Sequence, residues 1–236
     1  KILSNLRTDE HQAPQDGRFR VTLPNSETVI DVRVAITPTY YGESAILRLL
    51  ASKNQELGLE ALGFSKENQT KILEALKQSH GMILATGPTG SGKTTTLYSI
   101  LKILNTEDSA IVTLEDPIEY SLNNVRQIPV NNRSGLTFGT GLRSILRQDP
   151  DIIMVGEIRD EETASLAVNS ALTGHLLFST LHTNDAATTL PRLLDMKVEP
   201  YLISSTVNLA ISQRLVRKIC QNCKTEHQLK PEEAAS

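Results

Sequence analysis

Residues 87–94 read Gly-Pro-Thr-Gly-Ser-Gly-Lys-Thr, a glycine-rich loop of the pattern G-x-x-x-x-G-K-[ST]. Gly87, Gly90 and Gly92 let the backbone turn tightly and bring its N–H groups up to an anion. The apolar run Met82-Ile83-Leu84-Ala85 precedes the loop, as a buried strand should. Over 95–104, the spacing of Leu97, Ile100, Leu101 and Leu104 predicts a helix. A strand, a glycine loop and a helix N-terminus together form a phosphate site. A chance Gly/Ser turn would not carry both flanking elements. The chain is therefore expected to bind a nucleoside triphosphate along Gly87, Pro88, Thr89, Gly90, Ser91, Gly92, Lys93, Thr94 and Thr95. Lys93 supplies a point charge for the β- and γ-phosphates, and the Thr94 hydroxyl is suited to Mg²⁺.

The 236 residues allow one large domain, or a medium domain with a small one. With 39% hydrophobic and 22% charged residues, the chain has the composition of a folded protein. Aromatic residues make up only 4% and Trp is absent, so an aliphatic core is expected. A net charge of −3 gives no support to broad electrostatic binding of DNA, although a local basic strip inside a ring would escape that argument. The longest apolar runs are too short to span a bilayer. No signal-like segment opens the chain, which starts at Lys1 without Met and so reads as part of a longer protein.

Residues 1–52 read differently from the rest. Phe19-Arg20-Val21-Thr22-Leu23 and Val29-Ile30-Asp31-Val32-Arg33-Val34 alternate apolar and polar around a Pro24-Asn25-Ser26 turn, which predicts a β-hairpin. A third apolar run covers 45–50, and 53–60 reads as a linker. From 61 to 218, strands are expected at 82–86, 110–114, 151–155 and 176–180. Helices are expected near 66–78, 94–104, 139–147, 160–173, 185–195 and 199–218. That alternation predicts an α/β domain with a mostly parallel sheet covered on both faces. Its ligand belongs at the carboxyl ends of the strands. Residues 219–236 carry the C-x-x-C pair.

Acids fall at those strand ends. Glu115-Asp116-Pro117-Ile118-Glu119 follows one apolar run, and Gly156-Glu157 follows another. Glu157 suits the Mg²⁺ role, and Glu119 or Glu115 can polarise the attacking water. The bland readings are solvated strand-end acids and helix caps. His175 and His182 bracket the strand expected at 176–180. His182 falls on the nucleotide side, where it can sense a γ-phosphate, whereas an ordinary hydrogen-bonded histidine is the bland reading of either. Arg18, Arg33 and Arg48, in the small region, are surface residues or suppliers of charge to the γ-phosphate. Cys220 and Cys223 suit a metal or redox pair better than a structural disulfide, and with a P-loop present the cytoplasm is the sensible compartment. The pair is half of a Zn²⁺ site, and His227 would be a third ligand.

Four motifs in order resemble the secretion ATPases that drive type II secretion and type IV pilus assembly. They are the loop at 87–94, the acidic segment 113–120, the segment 142–160 ending in Gly156-Glu157-Ile158-Arg159-Asp160, and the histidine segment 173–185. The segments around Arg18 and Arg33 resemble the family's arginine-bearing stretches. The resemblance implies a RecA-like core with a small, partial N-terminal α+β domain, and a hexameric ring that hydrolyses ATP with Mg²⁺. In such a ring Arg18 and Arg33, with Arg48, would reach the γ-phosphate. Glu119 would act on water, Glu157 on Mg²⁺, and His182 on the phosphate. It also implies an inner-membrane platform protein and a cytoplasmic membrane-ring adaptor as partners, and a cytoplasmic location peripheral to the inner membrane. No nucleic acid partner is expected. Against the family pattern, the first half of the small domain and the second cysteine pair of a zinc module are missing. The competing readings are a nucleic-acid-moving ring ATPase, a pilus-retraction motor, a non-hydrolysing scaffold and a small-molecule kinase.

Overall fold

The computed structural model describes residues 1–22, 29–51, 58–220 and 222–226. The Pro24-Asn25-Ser26 turn, most of the 53–60 linker and His227 lie outside these. Strands β1 (Gln15–Thr22), β2 (Val29–Thr39) and β3 (Gly42–Ala51) form an antiparallel sheet in the order β1-β2-β3. The period-2 pattern has its expected effect. Val32, Val34 and Ile36 are buried on one face, where Leu6 and Phe19 pack against them. Arg18, Arg33 and Arg48 stand in direct cross-strand register on the other face, and all three are exposed.

The rest is α/β. In order come α1 (Lys66–Ala75), β4 (Gly81–Thr86), α2 (Lys93–Leu104), β5 (Ile111–Glu115), β6 (Val125–Pro129), α3 (Phe138–Ile145) and β7 (Ile152–Val155). Then follow α4 (Glu161–Leu172), β8 (Leu176–Leu181), α5 (Thr189–Asp195), α6 (Pro200–Thr206) and β9 (Val207–Ser212). The strands build one six-stranded sheet, β6-β5-β7-β8-β4-β9, with every pairing parallel.

Alternate residues of the central strands feed two cores. Met82, Leu84, Val112, Leu114, Ile153 and Val155 face α3 and α4. Ile83, Ala85, Ile111, Ile152, Met154 and Phe178 face α1 and α2. Each fully buried Val, Leu, Ile, Met or Phe among them contributes about 1.5–3 kcal/mol. The aromatic residues of the core are Tyr98 and Phe178, both wholly buried, and Phe138 at 8% exposed. Helix starts follow the capping rules. Ser65 accepts from the Asn68 amide, Thr137 and Thr140 form a capping box, and Asp160 accepts from the Thr163 amide. The exceptions are α2, α5 and α6, which have no side-chain cap, and the N-cap of α2 is Gly92.

The expected helix over 199–218 is corrected. Helix α6 stops at Thr206, and Val207-Asn208-Leu209-Ala210-Ile211-Ser212 pairs in parallel with β4. The stretch alternates with period 2, and its β-branched Val207 and Ile211 suit a pleat. It also satisfies the backbone of what would otherwise be the open edge of β4. The C-x-x-C pair therefore follows irregular chain rather than a long helix. The second unexpected strand is β6, short and at the sheet edge, where Pro129 is tolerated.

Candidate nucleotide site

The carboxyl ends of β4, β5, β7 and β8 open onto a cleft of about 720 Å³. Residues 89–95 line it, together with Glu115, Glu119, Glu157, Thr180 and His182. Strand β8 lies between β4 and β7, which sets His182 between the loop bearing Lys93 and the turn bearing Glu157.

The loop geometry fits a phosphate. Gly87 has φ +133°, and an added Cβ would stand 2.5 Å from the Gln213 carbonyl oxygen and 2.8 Å from Ser91 Oγ, so only glycine is accommodated. Lys93, at the first position of α2, turns back over the loop, and its Nζ donates to the carbonyl oxygens of Gly87 at 2.8 Å and Pro88 at 3.0 Å. Ser91 Oγ is buried with no hydrogen-bond partner. An ammonium held over backbone carbonyls, an orphan hydroxyl and an uncapped helix N-terminus are the donor set a phosphate would satisfy. Burial lowers the Lys93 ammonium below its ordinary value, and the charge of Glu157 opposes that shift.

Glu157 is partly buried and doubly held. Arg159 donates to its Oε1, and His182 Nε2 lies 3.3 Å from its Oε2. The turn bearing it is fixed from β8. Thr180 Oγ1 donates to the Gly156 carbonyl at 2.8 Å, and the Ile158 amide donates to the Thr180 carbonyl at 3.0 Å. Hydrogen bonding to Glu157 holds the Arg159 guanidinium above its usual value.

The two acids of the 113–120 segment differ in kind. Glu119 is exposed at the cleft. Glu115 is only 2% exposed, and both its oxygens are occupied. Oε2 accepts from the Tyr98 hydroxyl, and Oε1 accepts from Thr113 Oγ1 and from Gln127 Nε2 at 3.2 Å. A carboxyl so buried and engaged is less accessible to water than the exposed Glu119, which is the better-placed of the pair.

His175 sits at the other end of β8, where its Nδ1 lies 3.0 Å from the Ser170 carbonyl oxygen, away from the cleft. Among the described residues Arg18 and Arg33 do not line the cleft, and the small sheet reaches it only through Leu49. Arg18 instead faces a separate cleft with Ile118, Ser121 and Gln127, on the flank of the acidic loop. Cys220 and Cys223 are free and exposed. Backbone amides of Asn222 and Cys223 lower the Cys220 thiol below its usual range. Among the described residues no three His, Cys, Asp or Glu side chains gather as a metal site. Two thiols do not fit a closed zinc site.

Sequence reasoning passed over Tyr98, Gln127, Arg159, Gln213 and Leu215. Gln213 Nε2 donates to the Ser91 carbonyl at 2.8 Å, and Leu215 lines the cleft. Assigning 199–218 to one helix hid both. Arg159 lies in a motif already singled out, two residues past Glu157, and that proximity was its signal.

Comparison with known proteins gives the family and the fold. The chain is 50% identical over 229 residues to the type IV pilus assembly ATPase PilB of Pseudomonas aeruginosa, covering 97% of this chain and 40% of that one. It is 48% identical over 233 residues to the type II secretion system protein E of Aeromonas hydrophila, covering 99% and 46%. It thus spans less than half the length of these relatives. The solved pilus retraction motor PilT with bound ADP superposes with a TM-score of 0.73 at 36% identity, over 87% of this chain and 60% of that one, so the large domain has the RecA-like core of the secretion ATPases. The family model described as Type II/IV secretion system protein matches residues 1–236, and the chain belongs to that family.

Proposed function

We propose that the chain is the catalytic core of a motor that hydrolyses ATP to ADP and phosphate. One observation carries the reading: Lys93, Glu157, His182 and Glu119 converge on one cleft beside an uncapped helix N-terminus. Gly87, Pro88, Thr89, Gly90, Ser91, Gly92, Lys93, Thr94 and Thr95 hold the phosphates. Thr94 and Glu157 are the residues suited to Mg²⁺, which when bound neutralises charge on the β- and γ-phosphates. Glu119 accepts the proton of the attacking water. His182 senses the phosphate while holding Glu157. Arg18 and Arg33, with Arg48, supply positive charge to the γ-phosphate once the small sheet closes on a nucleotide. Three exposed guanidiniums in adjacent register repel one another, and an anion placed among them relieves that repulsion.

The biological role is an extension of the relatives' names. We assign the motor to type IV pilus assembly or type II secretion, acting as a homo-oligomer, a hexamer, through an inner-membrane platform protein and a cytoplasmic membrane-ring adaptor. That places it in the cytoplasm, peripheral to the inner membrane. Among the described residues no helix is long and apolar enough to cross a membrane, which suits attachment through partners. The higher identity to the assembly and secretion relatives, 50% and 48% against 36% for the retraction motor, supports assembly over retraction. Cys220 and Cys223 would belong to a zinc module of the longer protein. The test is Mg-ATP hydrolysis against protein concentration, with Lys93→Ala as the control. A specific activity that rises with concentration and vanishes in the variant supports a ring with shared sites. Activity stimulated by DNA would instead favour a nucleic-acid translocase, and nucleotide binding with no turnover at any concentration would favour a scaffold.

A further inference from the structure

Glu119 is exposed on the loop after β5, yet a general base must be held to a fraction of an ångström. The restraint lies beneath it. Tyr98, on the second turn of α2, is wholly buried. Its hydroxyl donates to Glu115 Oε2 and accepts from Gln127 Nε2 at 3.2 Å. Gln127 closes the arrangement: its Nε2 also donates to the Tyr120 carbonyl at 3.1 Å, and its Oε1 accepts from the Leu122 amide at 2.7 Å. The Tyr98 and Tyr120 rings meet edge to face at 4.6 Å between centroids. Two backbone points of the loop, at 120 and 122, are therefore tied to one buried cluster, the first of them next to Glu119. That cluster is anchored on α2, five residues after Lys93.

We propose that Tyr98, backed by Glu115 and Gln127, is a positioning residue that holds Glu119 in register with the P-loop helix. The inference rests on the assignment of Glu119 as the base. A nucleotide on Lys93 and Thr94 fixes α2, and the Tyr98 hydroxyl carries that placement through Gln127 to the backbone at Tyr120, next to Glu119. Burial, followed by the neighbouring Glu115, pushes the Tyr98 phenol well above its usual value, so the hydroxyl remains a donor throughout the working pH range. The ring alone would pack equally well as phenylalanine. The hydroxyl is what the loop uses.

The experiment compares Tyr98→Phe, Glu119→Gln and wild type in the full chain, measuring turnover of Mg-ATP and the Kd of a fluorescent ADP analogue. Tyr98→Phe should lower kcat by about tenfold or more while leaving Kd within about twofold. A general structural loss would move both together. Gln127→Met removes the loop ties from the other side and should reproduce the same split should Tyr98→Phe fold poorly. Wild-type kcat in Tyr98→Phe, or a parallel loss of kcat and affinity, overturns the inference. Wild-type turnover in Glu119→Gln would instead remove Glu119 as the base, which is a failure of the underlying reading and is visible separately.

Discussion

Replacing Thr180 by valine deletes a single hydroxyl and leaves the shape of the side chain nearly intact. Thr180 is 4% exposed, and its Oγ1 donates to the Gly156 carbonyl at 2.8 Å. That carbonyl belongs to the turn immediately before Glu157. In the variant it loses its donor within a packed interior, at a cost of about 1–3 kcal/mol. For a chain of this size, each kcal/mol corresponds to roughly 2–4 °C in Tm. Thermal unfolding followed by circular dichroism should therefore show a fall of about 2–12 °C. The catalytic consequence is separable. The turn carrying Glu157 would be held from β8 by the Ile158 amide alone, so kcat should fall by about tenfold. Thr180→Ser keeps the donor and loses a methyl, so it should lose about 0.8 kcal/mol with little change in kcat. A Thr180→Val protein as stable and as active as wild type would refute the idea that this hydrogen bond fixes the Glu157 turn.

Other expectations are equally direct. Gly87→Ala forces a side chain to φ +133° and into the backbone oxygen of Gln213 at 2.5 Å. Strain of about 1–3 kcal/mol should follow, with a nucleotide affinity reduced about tenfold or more in a fluorescence titration. The Lys93 ammonium lies below its ordinary 10.5 in the free protein because of burial, and a bound phosphate would raise it again. Binding should therefore take up protons, and affinity should fall as pH rises through the window between the lowered value and 10.5. Calorimetry in two buffers of different ionisation heat measures that uptake, which Lys93→Arg should abolish. Asp160→Ala removes the cap on the Thr163 amide at 2.7 Å. It should cost about 0.5–2 kcal/mol in urea unfolding without changing nucleotide affinity.

The large domain was legible where residues act locally. A fully apolar run such as 82–85 has one comfortable home, and glycines followed by Lys-Thr permit one kind of loop. The strands carrying Glu115, Glu157 and His182 could therefore be placed from pattern alone. The core composition was less legible: Tyr98 lies inside a run of helix formers, and nothing local shows that its hydroxyl is buried against a carboxyl from β5. Choosing between Glu115 and Glu119 depended on the same non-local fact. The two are four residues apart on one segment, and only the pairing of β5 with β6 brings Gln127 up to occupy Glu115. Of Arg18, Arg33 and Arg48 only Arg33 fell within an expected strand; Arg18 lies in β1, which begins four residues before the expected Phe19, and Arg48 lies in β3. Their relation to the cleft depends on how two sheets meet, and pattern does not encode that.

The misread 199–218 stretch also bears on mechanism. A helix running to 218 would have carried the chain away from the nucleotide. Strand β9, parallel to β4, must instead end on the same side of the sheet as the P-loop. The next residues accordingly lie on that loop: the Gln213 amide donates to the Thr86 carbonyl at 3.2 Å, and its side chain donates to the Ser91 carbonyl. Gln213 thus touches the P-loop from both its backbone and its side chain, and its carbonyl occupies the space that makes Gly87 obligatory. Movement of the loop on binding a phosphate must be felt at residue 213, and from there the chain runs through Leu215 at the cleft towards Cys220. A helix could not have made that connection. A parallel edge strand of six residues makes it unavoidable.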